Sequence, residues 1–236
     1  MAARFGIETI RGHSFCPALL GDDAVVVDMG AHKGEFAREV GERFACHCHM
    51  VEALPALYDA MSEEGGMRKY NFAMAGQDGF VSLGVSENPE ANSIVAREGA
   101  QGWVRVEGVT LATFMARAGL ERIDLLKVDI EGAEIALIES AGEDELSRVV
   151  QMTVEFHDFL PGLVEPRRLE AVRKKMRGLG FYVIKFSGRL NTDVLFLNRR
   201  FCHLGLLEYW YMKYVLRYAR GLSRIVRRSF AVRRAS

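Results

Sequence analysis

The residues best suited to chemistry lie at the ends of short apolar segments of the chain. The first segment ends in Asp28, Gly30, His32 and Gly34, within the stretch VVVDMGAHKG, and the second ends in Glu52. Glycines after a strand let the backbone approach a ligand, and the N-terminus of the next helix favours an anionic group. An acid after the second strand can accept hydrogen bonds from adjacent ribose hydroxyls. The pair is typical of a site for a nucleoside-containing cofactor.

The spacing of the glycines narrows the choice of cofactor. A dinucleotide fingerprint requires G-x-G-x-x-G and a P-loop requires G-x-x-x-x-G-K-[ST], whereas this loop has D-x-G-x-x-x-G with His32 in place of a glycine. A smaller anion, such as an amino-acid carboxylate, suits such a loop. Together with Glu52, the spacing favours S-adenosylmethionine. A helix-capping glycine beside an unrelated surface acid is the alternative.

A second group of ionisable residues follows the buried segments IDLLKVD and VVQMTVEF. Lys127 and Asp129 share one face of their strand, and a buried lysine needs a carboxylate partner, for which Glu131 and Glu155 are candidates. His157 is the candidate base for an acceptor hydroxyl, because an unperturbed imidazole titrates near neutral pH. A histidine that only orients a neighbour is the alternative.

A divalent cation is an open alternative to the base. Asp129, Glu131, Glu155 and His157 would offer the oxygen-rich ligands that suit Mg²⁺ or Mn²⁺. Acids at strand ends more often cap helices, so no metal is favoured.

Strands and helices alternate in an order that would bring these strand ends together. Strands are predicted at 24–28, 46–52, 70–75, 123–129 and 149–156, and helices at 35–44, from residue 55 and at 167–179. This alternation predicts a doubly wound, mainly parallel sheet, which an antiparallel pair, FYVIKF and DVLFL, closes. A hairpin is predicted within 76–85 and a long loop over 86–102.

The stretch CHCH at 46–49 resembles a metal-binding box. On a strand, however, Cys46 and Cys48 face away from His47 and His49, so the four side chains cannot converge. Core packing is the prediction.

Composition separates an acidic body from a basic tail. The chain has 236 residues, of which 49% are hydrophobic and 26% charged, as in globular proteins. Residues 199–236 hold 10 of the 31 Lys and Arg residues and one of the 31 acids, Glu208, which leaves 1–198 with a net charge of −9. We therefore predict a cofactor-binding domain over 1–198 and a distinct tail over 199–236. The four cysteines and the absence of a signal-like apolar start predict a cytoplasmic, reduced protein.

In the tail, the spacing of apolar and basic residues predicts a basic amphipathic helix from about residue 202 to residue 230. Its apolar side comprises Leu204, Leu207, Tyr211, Val215, Tyr218, Leu222 and Ile225, and its basic side Lys213, Arg217, Arg220, Arg224 and Arg227. Such a helix is typical of peripheral contact with the inner face of a membrane. Packing on its own domain or on a second subunit is one alternative, and nucleic-acid binding is another, which the acidic body disfavours.

These motifs together resemble the FkbM family of methyltransferases. The stretch IDLLKVDIEGAEIALIESA at 123–141 retains the family core L-K-x-D-x-E-G-x-E. VVDMGAHKGEFA resembles the first motif, VEALP the ribose-binding acid with Ala53 beside it, FAMAGQDG the third-strand turn and VEFH the fifth strand, within residues 20–198. Two departures are His32–Lys33, where Asn is commoner, and Gly76–Gln77, where the family has Ser-Asp or Gly-Asp.

The resemblance implies a class I methyltransferase fold with a seven-stranded sheet and S-adenosylmethionine as methyl donor. Its usual acceptor is a hydroxyl oxygen, here expected on a glycan, a lipid-linked glycan or a small metabolite. His157, Asp129 and Lys127 are the expected catalytic residues. An RNA-directed methyltransferase and a non-catalytic cofactor-binding module remain the alternatives.

Overall fold

The computed structural model describes residues 6–85, 102–158, 165–188 and 190–216. Its strands, in chain order, are β1 (Glu8–Ile10), β2 (His13–Phe15), β3 (Val25–Met29), β4 (His47–Val51), β5 (Met67–Tyr70), β6 (Ala73–Met74), β7 (Gly79–Val85), β8 (Gly102–Val109), β9 (Leu125–Val128), β10 (Gln151–Val154), β11 (Phe181–Lys185) and β12 (Val194–Asn198). Its helices are α1 (Glu35–Phe44), α2 (Pro55–Ala60), α3 (Leu111–Ala118), α4 (Glu134–Ser140), α5 (Glu143–Ser147), α6 (Pro166–Gly178) and α7 (Leu206–Trp210), which continues as a π-helical turn over Tyr211–Leu216.

The central sheet has seven strands in the order β11-β12-β10-β9-β3-β4-β5. The strand β12 runs antiparallel to both of its neighbours, whereas β10, β9, β3, β4 and β5 pair in parallel. The predicted seven-stranded, mainly parallel sheet of the class I fold is confirmed. The chain order reverses between β9 and β3, and ligands of such sheets bind beyond the carboxyl ends of the strands at this switch point.

Helices cover both faces of the sheet. On one face, α1 packs Phe36 and Val40 against Val26 and Cys48, in a cluster that also contains Cys46. On the other, α3, α4 and α6 contribute to a larger core. The cysteines of the CHCH stretch are therefore core residues, as predicted, and each fully buried apolar side chain contributes about 1.5–3 kcal/mol. These two cores hold the strand ends of the site in fixed positions.

The region after β4 differs from its prediction. The predicted strand over 70–75 is two strands, since β5 ends at Tyr70 and β6 joins a separate three-stranded sheet with β8 and β7. Asn71 lies at this break and donates its side-chain amide to the carbonyls of Glu52 and Ala53. The hairpin predicted within 76–85 is wrong, because β7 pairs antiparallel with β8. Most of the loop predicted over 86–102 lies outside the described residues.

An N-terminal hairpin, β1 and β2, was not predicted. It turns at Arg11 and Gly12, both with positive φ. Ser14 donates its hydroxyl to Asp193 at 2.7 Å, and the Cys16 amide donates to the Gln151 side chain at 2.8 Å. These buried bonds fix the hairpin beside β10 and β12.

The described part of the basic tail is a short helix. It begins at Leu206, later than predicted, and the predicted continuation beyond Leu216 lies outside the described residues. Cys202, Leu204 and Met212 are buried in a third cluster with residues of β11 and β12. Within the described ranges, none of the helices has the length and hydrophobicity that crossing a membrane requires.

Candidate functional site

Two glycines shape the loop that follows β3. Gly30 has φ +77°, and a Cβ there would lie 1.7 Å from the carbonyl oxygen of Asp129. Gly34 has φ +72°, and its Cβ would lie 2.8 Å from Met50 Sδ. Both conformations favour glycine, and both spaces exclude a side chain. The loop therefore packs against the end of β9, where the sequence analysis places the cofactor.

The amides of this loop are bonded differently from expectation. The Gly30 and Ala31 amides both donate to the carbonyl of Val51 at 3.0 Å, and the His32 amide donates to Glu52 Oε2 at 2.8 Å. These three N–H groups hold the loop to β4, so the expectation that they bind an anion is wrong. The positive N-terminal end of α1 is the part of the loop that suits an anionic group.

The backbone and side chain of His32 suit a residue that contacts a bound ligand. Its φ is +54°, which is uncommon for a residue with a side chain. Its Nε2 atom is buried and has no hydrogen-bond partner among the described residues. A strained residue with an unsatisfied buried nitrogen fits a contact that a bound molecule would complete.

Glu52 lies at the end of β4, only 8% exposed. Its Oε1 accepts from the Leu54 amide at 2.9 Å and its Oε2 from the His32 amide. Burial raises the pKa of this carboxyl, while the two amides oppose the rise. A carboxylate has about four acceptor positions, so two remain for ribose hydroxyls. Ala53 follows, and its carbonyl is held by Asn71.

A cavity of about 710 Å³ opens between the end of β6 and the start of α4. Its volume lies within the usual range of small-molecule sites. Gln77 lines it, at the position where the family has an acid. The next residue, Asp78, accepts bonds from the Thr110 amide at 2.7 Å and the Thr113 hydroxyl at 2.6 Å. Asp78 is thus bound to the N-terminal end of α3.

Lys127 forms a buried ion pair with Asp28. Its Nζ lies 2.8 Å from Asp28 Oδ1 and 3.6 Å from Asp129 Oδ2, and it donates to the carbonyl of Gly30 at 3.0 Å. The predicted partners, Glu131 and Glu155, were wrong, because the register of β3 on β9 places Asp28 directly opposite Lys127.

The charge of Lys127 follows from these contacts. Burial lowers its pKa, but the carboxylates of Asp28 and Asp129 raise it by more. The lysine is therefore a cation that ties the glycine loop to β9. It is not a proton acceptor at neutral pH.

His157 is enclosed by carboxylates. Its Nδ1 lies 2.8 Å from Glu134 Oε1, and its Nε2 lies 3.3 Å from Glu131 Oε2 and 3.7 Å from Asp129 Oδ1. Burial lowers the pKa of the imidazole, but Glu131 and Glu134 raise it by more, to about 10. This pKa favours a protonated ring at neutral pH, which disfavours the predicted role of His157 as a neutral base.

Glu155, rather than His157, has a pKa near neutral pH. Burial and the negative charge of Asp129 raise its pKa to about 7. The pKa of Asp129 lies below its usual range, because Lys127, His13 and His157 outweigh its burial. The two neighbouring carboxyls therefore differ in proton affinity, and such a difference is typical of acid–base pairs in enzymes.

Two residues of the site were given no role by the sequence analysis. His13, on β2, is buried and places its Nε2 3.4 Å from Asp129 Oδ2. Glu134 is fully buried and accepts from the amides of Ile130 at 3.3 Å and Gly132 at 2.9 Å. Glu134 belongs to the signature at 123–141, which could have indicated it. No pattern around His13 indicates its contact.

Two groups within the described residues could hold a metal ion. One comprises His13, Asp129 and Glu155, and the other Asp129, Glu131 and His157. In each group the potential ligand atoms lie within 4.8 Å of one another. Four of these five residues were the predicted metal candidates, and His13 is the addition.

The residues fit a cofactor that has a positive centre and a ribose. Acidic side chains outnumber basic ones at the ends of β3, β9 and β10, which suits a sulfonium cation. The loop at Gly30 and Gly34 and the open acceptor positions of Glu52 suit the rest of S-adenosylmethionine.

Solved structures of low sequence identity resemble this fold. Human methyltransferase-like protein 13, in complex with SAH, is 14% identical, with 85% of this chain and 83% of that chain covered and a TM-score of 0.45. TrmK of M. capricolum, with S-adenosyl-homocysteine, is 7% identical over 82% of this chain and 70% of its own, with a TM-score of 0.44. A TehB-like methyltransferase from Corynebacterium glutamicum is 11% identical, with 77% of this chain and 83% of that chain covered and a TM-score of 0.40.

The comparison that identifies the chain is with a protein family. None of the curated proteins matches it. The family described as the methyltransferase FkbM domain matches residues 28–183, which is more than half of the chain and contains every site residue except His13. The chain belongs to the FkbM methyltransferase family and is an S-adenosylmethionine-dependent methyltransferase.

Proposed function

We propose that this protein methylates the oxygen of a hydroxyl group, with Glu155 as the base that accepts the hydroxyl proton. The observation that carries the proposal is a carboxyl with a pKa of about 7, at the end of β10 and next to Asp129. A hydroxyl must lose its proton during methylation, and a base with a pKa near the working pH is the efficient choice. The proposed acceptor is therefore a hydroxyl, for which such a base is suited.

Each residue of the site has a part in this reaction. S-Adenosylmethionine supplies a methyl group on a positively charged sulfur. The glycine loop and Glu52 would hold its two ends, and the acidic surroundings would favour its positive charge. Alignment of the acceptor oxygen with the methyl group alone supplies several kcal/mol of catalysis, at most about 7–11.

Asp129 is the proposed contact of the acceptor hydroxyl. It is ionised and lies between His13, Lys127 and His157, which fix its two oxygens. His157, as a cation between Glu131 and Glu134, positions the loop that follows β9. Lys127 and His157 are therefore positioning residues in this proposal, and only Asp129 and Glu155 contact the acceptor.

A divalent cation is the second way to lower the pKa of the hydroxyl. The group of Asp129, Glu131 and His157 would hold it, since Nδ1 of His157 is already oriented by Glu134 as in many metal sites. The cation would replace the proton at Nε2 and act as a Lewis acid. The two mechanisms differ in the expected effect of a chelator. It should abolish methyl transfer if a cation is required and leave it unchanged if Glu155 acts as the base without a cation.

The test is transfer of a labelled methyl group from S-adenosylmethionine to cell fractions. Polar metabolites, lipids with glycolipids, and RNA are assayed separately with wild-type protein, Glu155→Gln and the exposed control Glu143→Gln. Label in metabolites or glycolipids that Glu155→Gln abolishes and Glu143→Gln retains would support the proposal, and loss of label with a chelator would indicate the cation.

Two outcomes would overturn the proposed function. Label confined to the bases of RNA would indicate an RNA-directed enzyme that does not act on a hydroxyl. Cofactor binding without transfer to any fraction would indicate a binding module.

A further inference from the structure

The helix at 206–216 is held to the domain by one side only. Met212 is fully buried, and Tyr209 packs its ring against Tyr182, with 5.1 Å between the ring centroids. The Tyr182 hydroxyl donates to the carbonyl of Leu204 at 3.2 Å. Ile184, Leu195 and Leu197 complete this contact from β11 and β12. The helix is therefore docked in a defined orientation.

The other side of this helix is apolar and exposed. Leu206 and Leu207 are 82% and 87% exposed, and Trp210 is 58% exposed. The exposed set continues with Tyr211, Tyr214 and Val215. Single exposed leucines are normal on protein surfaces, but six large apolar side chains within ten residues form a contiguous patch that indicates a binding surface. Leu207, Tyr211 and Val215 belong to the predicted apolar side of the tail helix, whereas Leu204 of the same predicted side is buried against the domain.

Basic residues precede and follow this exposed patch in the sequence. Arg199 and Arg200 are exposed just before the helix, and Lys213 lies on it. The following residues, 217–236, contain seven arginines and no acid. Apolar side chains next to an excess of arginine complement an anionic lipid surface, which is apolar below a negatively charged headgroup layer.

We propose that the exposed face of the helix at 206–216 inserts into the surface of an anionic membrane. Trp210 and Tyr214 stack with their ring centroids 4.7 Å apart, and both rings are exposed on this face. Tryptophan and tyrosine are the residues that membrane proteins place at the level of the headgroups. Leu206 and Leu207 extend beyond them into the acyl region, while the arginines contact the headgroups.

The docked helix shares a structural element with the site. Cys16, directly after β2, packs in the same cluster as Met212, and His13 on the same strand contacts Asp129. A protein bound to a membrane through this helix would meet acceptors that are themselves attached to lipid. The inference that the acceptor hydroxyl is carried by a lipid or a lipid-linked glycan rests on the proposed function, whereas membrane binding itself does not.

The two tryptophans of the chain permit a direct test, because Trp103 is 54% exposed on β8 and Trp210 is 58% exposed on the helix. Full-length Trp103→Phe reports on Trp210 alone, and Trp210→Phe reports on Trp103 alone. We expect vesicles of phosphatidylcholine with phosphatidylglycerol to shift the emission of Trp210 to the blue and leave Trp103 unchanged. Vesicles of phosphatidylcholine alone should bind much more weakly.

A second pair of variants measures the contribution of the apolar face. Leu207→Ser combined with Trp210→Ser should weaken vesicle binding about tenfold or more, and Trp103→Ser should not. An unchanged Trp210 emission with the anionic vesicles would overturn the proposal. So would concentration-dependent dimerisation that shields Trp210 without lipid, or tighter binding to RNA than to vesicles. None of these measurements involves methyl transfer, so this inference and the proposed function fail separately.

Discussion

Gly30→Ala is the substitution whose effect follows most directly from the structure. The new Cβ would lie 1.7 Å from the Asp129 carbonyl oxygen, and real contacts of this kind stay above 3.0 Å. The loop after β3 and the end of β9 must therefore separate by at least 1.3 Å, the difference between these two distances. Overpacking of this kind costs about 1–3 kcal/mol, and the left-handed backbone costs an alanine about 1–2 kcal/mol more.

Gly180→Ala provides the matched control. Gly180 also has a positive φ, +85°, but a Cβ there would meet nothing within 4 Å. Gly180→Ala therefore loses stability only because alanine disfavours the left-handed backbone conformation, which costs about 1–2 kcal/mol. We expect Gly30→Ala to lower the free energy of unfolding by about 1–3 kcal/mol more than Gly180→Ala does.

Two measurements decide the outcome. Chemical denaturation compares the stabilities, and calorimetric titration with S-adenosylmethionine compares the affinities, which should fall at least about tenfold for Gly30→Ala and stay unchanged for Gly180→Ala. Equal stabilities, together with unchanged cofactor affinity in Gly30→Ala, would refute the close approach of the two strand ends and their role in the site.

Three further variants test the charges of the site. Glu52→Gln should reduce the affinity for S-adenosylmethionine about tenfold or more, because it removes the charged acceptor for ribose hydroxyls; unchanged affinity in a titration would remove Glu52 from the site. Glu155→Gln should abolish the rise of methyl-transfer rate with pH that we expect of wild type as Glu155 ionises; an intact rise would exclude Glu155 as the base. The raised pKa of His157 contributes stability that is present in full below its ordinary pKa of 6.5 and is lost as pH rises through about 10. Glu134 is one of the carboxylates that raise this pKa, so the stability lost between these pH values should be smaller in Glu134→Gln than in wild type. Chemical denaturation across the same pH range measures this difference.

The elements that carry the site were predictable from local signals. The helix predicted over 35–44 is α1, Glu35–Phe44, because residues with positive φ, Gly34 and Ala45, lie at its two ends. The strands β3, β4, β9 and β10 were predicted to within about two residues at each end, because they are short apolar segments between turn-forming or charged residues. The positions of Gly30, Glu52 and Asp129 at strand ends follow from these assignments.

The pairing of charges within the site was not predictable, because it depends on the register of strands far apart in the sequence. Asp28 meets Lys127 across the β3–β9 pair, whereas alternation along β9 alone suggested nearer partners. His13 lies on a three-residue strand, too short to show alternation. The pKa values of His157 and Glu155 depend on those contacts. From the sequence alone only the ordinary pKa of a histidine was known, and His157 was therefore predicted to be the base.

The arrangement of charges also predicts that cofactor binding prepares the base. Burial and the negative charge of Asp129 raise the pKa of Glu155 to about 7, so that only about half of it is ionised at neutral pH. A positive sulfonium centre bound beside these acids would favour the ionised carboxylate and lower its pKa. We therefore expect the pKa of Glu155, followed by carbon NMR of labelled glutamate, to fall when S-adenosylmethionine binds and to fall less with S-adenosylhomocysteine, which lacks the charge. Identical titrations with both compounds would place the sulfur away from Glu155. A lower pKa with the charged donor alone would mean that the base is ready to accept a proton only when a methyl group is available for transfer.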